Sequence, residues 1–112
     1  MVIKLPDGLR CVECPQPVRG QSFVYMLYCR NGSYYVGQSH DIHERLLWHQ
    51  QGMGARHTRQ MKDFVLIYTE GPMSGQVALL RERQLKRWSR AKKFALASGN
   101  LSLLRALSQS RE

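Results

Sequence analysis

One stretch of the chain leaves few choices of fold. Residues 23–29 read FVYMLYC, a run of aromatic and β-branched side chains suited to a buried strand. Asn31-Gly32 follows at once, the pair favoured where both central residues of a tight turn need positive φ. Residues 33–38, SYYVGQ, then return as a second strand. A lone two-stranded ribbon is marginal in water, so this hairpin needs another strand and a cover for its apolar side chains.

The rest of the sequence supplies both. Residues 64–69, FVLIYT, read as a third buried strand that Gly71-Pro72 ends. Asp41 is a candidate N-cap with Glu44 in the capping-box position, and a helix runs from Ile42 to about Gln51. Gly52 and Gly54 stop it. Ile42, Leu46 and His49 share one face of that helix, and Arg45 borders the face. Ser74 can cap a second helix to about Trp88, with Val77, Ala78, Arg81, Leu85 and Trp88 inward and the arginine snorkelling. Ser89 and Asn100 can cap helices over 90–97 and 101–107, with Gly99 between them. The order is β-β-α-β-α-α-α. It predicts an α/β fold, a small sandwich with a three-stranded antiparallel sheet flanked by helices. Residues 1–21, punctuated by proline and glycine, read as an irregular leader, 22–108 as the domain and 109–112 as a tail.

Composition narrows the function. The 112 residues carry 17 Lys and Arg against 8 Asp and Glu, a formal charge of +9. With 43% hydrophobic residues this is a folding chain, so the charge points to a polyanion, nucleic acid first. No apolar run approaches the length of a membrane span, and residues 1–21 hold no apolar signal core. Three cysteines without a secretory signal fit a reducing, cytoplasmic setting. Cys11 and Cys14 form only half of a zinc-site spacing, and free thiols are the plainer reading.

The topology collects one set of polar residues. The hairpin brings Tyr25 and Tyr35, the first helix Arg45 and His49 on one face, the second helix Glu82 with Lys86 a turn beyond. Phosphodiester hydrolysis needs a base for water, a cation near the charged phosphorane and often a carboxylate for a divalent metal. Tyr, Arg, His and Glu can fill those roles. They also have plain readings: strand aromatics, an Arg45–Asp41 surface pair, a core-edge histidine, a solvated glutamate. Trp48 lies off the inner stripe, where it either stacks on an unpaired base or packs on a neighbouring loop. Arg83, Arg87, Arg90, Lys92 and Lys93 form either a solvated helix face or phosphate contacts.

Val24-Tyr25-Met26 and Tyr35-Val36-Gly37 resemble the paired signature of the GIY-YIG nucleases. Arg45, His49 and Glu82 fall at matching offsets. ARHTR (55–59), LLRERQLKRWSRAKK (79–93) and SGNLSLLRALS (98–108) are similar to the small single-domain bacterial branch, and the resemblance spans about residues 22–108. It implies a metal-dependent endonuclease acting on DNA, branched or damaged DNA included. Tyr35 would activate water, Tyr25 orient water or phosphate, Arg45 stabilise the phosphorane, and His49 assist proton transfer. Glu82 would hold Mg²⁺ or Mn²⁺, and Gly37 would allow a tight backbone turn. Arg45 and a bound cation would lower the pKa of Tyr35. Gly37, Gln38, Arg56, His57, Arg59, Lys62 and Lys86 would line the nucleic acid. Two departures stand out: VYM replaces GIY, and Gln38 stands where many members carry lysine. Phe94 stands near a position that is polar in some relatives. The second reading is a nucleic-acid-binding module with this fold and little catalysis. The oligomeric state stays open.

Overall fold

The computed structural model of the chain describes residues 3–51 and 63–109. Strands β1 (Ser22–Cys29), β2 (Tyr34–Ser39) and β3 (Phe64–Met73) form one antiparallel sheet in the order β2-β1-β3. Four helices lie among the described residues: α1 (Ile42–Gln50), α2 (Gly75–Lys86), α3 (Arg90–Ser98) and α4 (Leu101–Gln109). The expected α/β class is thus that of the molecule, and the expected element order is that of the described residues.

Strand β1 is central and buried on both faces, which is why its sequence is a nearly unbroken apolar run. Alternation divides its side chains. Phe23, Tyr25 and Leu27 gather on one face with Ile42 of α1 and Leu66 of β3. Val24 and Met26 gather on the other with Val36, Ile67, Leu85 and Ala78. One layer of helix, one of sheet and a second of helix result. At the hairpin turn the Asn31 side chain accepts from the backbone N–H and the hydroxyl of Ser33.

Strand β3 runs past its expected end at Thr69. Gly71-Pro72 lies within it, and Met73 pairs with Ser22 after a register shift. Two conditions permit this. β3 is an edge strand, where proline's missing N–H costs no ladder bond. Gly71 has φ of 134°, and a Cβ there would sit 2.9 Å from the Phe23 ring.

The caps follow the sequence. Asp41 accepts from Glu44 N–H at 3.0 Å, Ser74 from Val77, Ser89 from Lys92 and Asn100 from Leu103. The Asp41 N–H, which a capping box gives to Glu44, goes instead to Ser39 Oγ at 3.1 Å. Helix α2 stops at Lys86, two residues before the expected Trp88, and Ser89 starts α3. Its buried positions are Ala78 and Leu85, whereas Val77 is 53% exposed. The inward stripe is therefore narrower than the apolar pattern suggested. Arg81 does not snorkel to water: it forms a two-pronged pair with Glu70 of β3. Phe94 packs against the core, with Gly8 directly against its ring.

Residues 3–21 contain no helix or strand. They are nonetheless docked. Leu5 and Leu9 join the cluster beneath α2 and α3, Val12 and Cys14 the cluster beneath α1. Between them, Val12 N–H donates to the Leu66 carbonyl at 3.0 Å. The segment thus passes along β3 and covers part of an otherwise open sheet edge.

Candidate active site

Residues from β1, β2, α1 and α2 meet around one end of the hairpin. In the register of the ladder Tyr25 faces Gly37. The Tyr25 ring lies flat across that glycine: a Cβ on residue 37 would stand 2.5 Å from the Tyr25 hydroxyl and 2.6 Å from Cζ. Gly37 is inside a strand and its φ is not positive, so the glycine is there for space. This corrects the expectation of a tight turn at Gly37.

The space lets Tyr25 reach α1. Its hydroxyl lies 2.9 Å from His49 Nε2, a buried bond that joins the sheet to the helix. Tyr25 is 1% exposed and His49 is 0% exposed. In the tautomer with the lone pair on Nε2, the phenol donates and the imidazole accepts. The rings of Tyr35, Trp48 and Phe64 meet His49 edge-on, at centroid distances of 5.2, 5.3 and 6.1 Å. Arg45, one turn before His49, places its guanidinium 4.8 Å above the Trp48 ring. Tyr25 and His49 thus form a buried backing, while the half-buried Tyr35, Arg45 and Glu82 reach solvent in front of it.

Glu82 comes from α2, which packs on β2 and β1. Its side chain is 15% exposed and pairs with Lys86 Nζ at 3.2 Å. The carboxylate is close enough that its charge disfavours ionisation of both tyrosines. For Tyr35, burial raises the pKa most, Glu82 adds to it, and Arg45 opposes both and loses. For Tyr25 the rise is larger, burial again leading and Tyr35 and Glu82 adding. Both are therefore phenols at neutral pH. Arg45 alone does not pull Tyr35 down, contrary to part of the expectation from sequence.

The other sequence candidates separate. Gln38 is on the opposite face of β2 from Tyr35 and Gly37 by strand alternation. Lys86 is at the site through Glu82. Arg56, His57, Arg59 and Lys62 lie outside the described residues. Among the described residues no three His, Cys, Asp or Glu side chains form a metal-binding group. A single hard carboxylate is what the site offers a divalent cation, which suits Mg²⁺ or Mn²⁺ bound largely through water and phosphate oxygens. Cys11 is exposed, Cys14 half-buried and Cys29 buried in β1, and no disulfide joins them. No helix among the described residues is long and apolar enough to cross a membrane.

Sequence reasoning did not find the Arg45–Trp48 stack or the network in which the Tyr68 hydroxyl and the Arg81 guanidinium both donate to the Glu70 carboxylate. Arg45 and Trp48 are three apart, a spacing that could have signalled the first. The second joins a strand and a helix and has no local signature.

A family model described as the GIY-YIG catalytic domain matches residues 21–95. A UPF0213 protein of Streptococcus pneumoniae serotype 4 is 40% identical over 80 residues, covering 71% of this chain and 81% of its own. A UPF0213 protein of Staphylococcus saprophyticus is 37% identical over 76 residues, covering 68% and 93%. A solution NMR structure of a UPF0213 protein from Bacillus halodurans is 34% identical and covers 80% of this chain and 99% of its own, with a TM-score of 0.46.

Proposed function

The chain belongs to the GIY-YIG family, and from that premise we propose that it is a divalent-metal-dependent endonuclease that hydrolyses phosphodiester bonds in DNA, branched or damaged DNA included. One observation carries the reading. Tyr25, Tyr35, Arg45, His49 and Glu82 come from four separate elements, and a glycine beneath the Tyr25 ring leaves the space that makes the Tyr25–His49 bond possible.

In the proposed reaction a water oxygen attacks phosphorus, and the bond from phosphorus to the leaving oxygen breaks. Tyr35, a phenol in the free protein, first gives its own proton to solvent; its Oη then takes the proton of the water, and the leaving oxygen takes one from solvent. Arg45 stands at the front of the site to offset charge on the phosphorane oxygens. Tyr25 and His49, bonded to each other, pack behind the Tyr35 ring and hold its position. Mg²⁺ or Mn²⁺ held by Glu82, with water and phosphate oxygens completing its shell, would supply Lewis-acid stabilisation of the phosphate. Neutralising Glu82 also removes one of the causes that hold Tyr35 as a phenol. Lys86 neutralises Glu82 in the free protein and is released toward a phosphate when the carboxylate is otherwise engaged.

The raised pKa of Tyr35 and the glutamine at position 38 favour the second reading, a binding module with little catalysis. A cleavage assay separates the two. Purified protein is given labelled single-stranded, duplex and branched DNA with Mg²⁺, Mn²⁺ or EDTA. Cleavage that requires the metal supports the nuclease. Salt-sensitive binding without cleavage under any metal supports the module and rejects the nuclease.

A further inference from the structure

Helix α1 carries a feature that phosphodiester hydrolysis does not require. Trp48 is 38% exposed, on the solvent side of the buried His49. Its ring lies under the Arg45 guanidinium, and Glu44, Arg45 and Trp48 line an open cleft of about 330 Å³. That is the lower end of the size range of small-ligand sites.

We propose that this cleft takes an unpaired nucleobase, one bearing an exocyclic amino group, from the nucleotide beside the scissile phosphate. The chemistry of the three walls selects such a ligand. The guanidinium plane of Arg45, which itself lies over the indole of Trp48, is a stacking surface for a base, and the indole backs it. The carboxylate of Glu44 accepts hydrogen bonds only, so it favours the amino edge of cytosine or adenine over the carbonyl edge of thymine. A base reaches the cleft only when it has left the helical stack, so the substrate carries an unpaired nucleotide at the cut: a single strand, a flap or a frayed end. The inference rests on nucleic acid being the ligand of the site, and it goes beyond that reading by naming the substrate's shape and a residue that reads it.

Binding tests it without any need for cleavage. In EDTA, the full chain is titrated with short labelled oligo-dC, oligo-dT and a duplex of equal length. The wild type binds oligo-dC more tightly than oligo-dT, and its tryptophan emission is quenched by the single strand. Trp48→Ala weakens single-strand binding by about tenfold or more while duplex binding changes by about twofold or less. Trp48→Phe keeps most of the single-strand affinity and loses the quenching, and Glu44→Gln narrows the gap between oligo-dC and oligo-dT. Equal loss on single strand and duplex, or no loss on either, overturns the base cleft and leaves the nuclease reading standing. Absence of all salt-sensitive binding overturns both.

Discussion

Replacing Gly37 by alanine adds one methyl group, and the geometry gives its cost. The new Cβ would stand 2.5 Å from the Tyr25 hydroxyl and 2.6 Å from Cζ, far inside contact distance. Tyr25 is buried to 1% exposure and its hydroxyl is held by His49, so the ring cannot simply swing away. Overpacking of a filled core costs about 1–3 kcal/mol. Losing the Tyr25–His49 bond between two buried groups costs a further ~1–3 kcal/mol. Gly37→Ala should therefore lower stability by about 2–6 kcal/mol, with a fall in Tm on the order of 10 °C or more. Displacement of Tyr25 by about 1 Å should also cost roughly a hundredfold in any cleavage rate. Urea denaturation in a double-mutant cycle isolates the cause. Tyr25→Leu removes Cζ and the hydroxyl, so Gly37→Ala on that background should cost less than about 1 kcal/mol, a coupling of at least ~1 kcal/mol. Equal costs in both backgrounds, or a Gly37→Ala cost below about 0.5 kcal/mol, would refute the reasoning.

Three further outcomes follow from the charges. Burial alone would lift the Glu70 carboxyl, but hydrogen bonds from Arg81 and Tyr68 and the Arg81 charge hold it below its ordinary value of 4.5. Its contribution to stability is thus complete above that value and is lost as pH falls through the folded pKa. Denaturation midpoints for Glu70→Gln should be lower near neutrality and show a flatter acid limb, and an unchanged acid limb would dismiss this origin. Tyr25 and Tyr68 are both raised, chiefly by burial, so they should be the last phenols to ionise in a spectrophotometric titration. Their stabilising effect is present below 10.0 and is lost as pH rises through the folded values, so Tyr25→Phe should soften the alkaline limb. Arg81→Met strands the half-buried Glu70 and should destabilise by about 1–3 kcal/mol, read by the same midpoints, with nucleic-acid binding unchanged.

The elements were legible because each is written locally. Asn31-Gly32 marks the hairpin, Asp41, Ser74, Ser89 and Asn100 mark helix starts, and β1 is apolar throughout because both of its faces are buried. What local pattern did not supply was depth. Val77 looks as apolar as Ala78, but α2 rests on the narrow strip of Ala78 and Leu85. Arg81 found Glu70 across 11 residues, and the docking of Leu9 and Val12 depends on sheet faces that only the folded chain creates. The side chains gathered at the candidate site were named from spacing and resemblance. The reason for Gly37 was not, because it lies in the path of a side chain on the neighbouring strand.

The central claim is that Tyr35 and Glu82 act on a bound phosphodiester. Single-turnover cleavage of a labelled DNA flap in Mg²⁺ tests it most directly, with affinity measured in parallel on the wild type, Tyr35→Phe and Glu82→Gln. A lost transition-state interaction of a few kcal/mol predicts cleavage slowed by about a hundredfold or more in each variant. Affinity should stay within a factor of about three, because neither residue supplies the basic charge that holds the backbone. Variants that cleave at the wild-type rate would contradict the assignment of both residues.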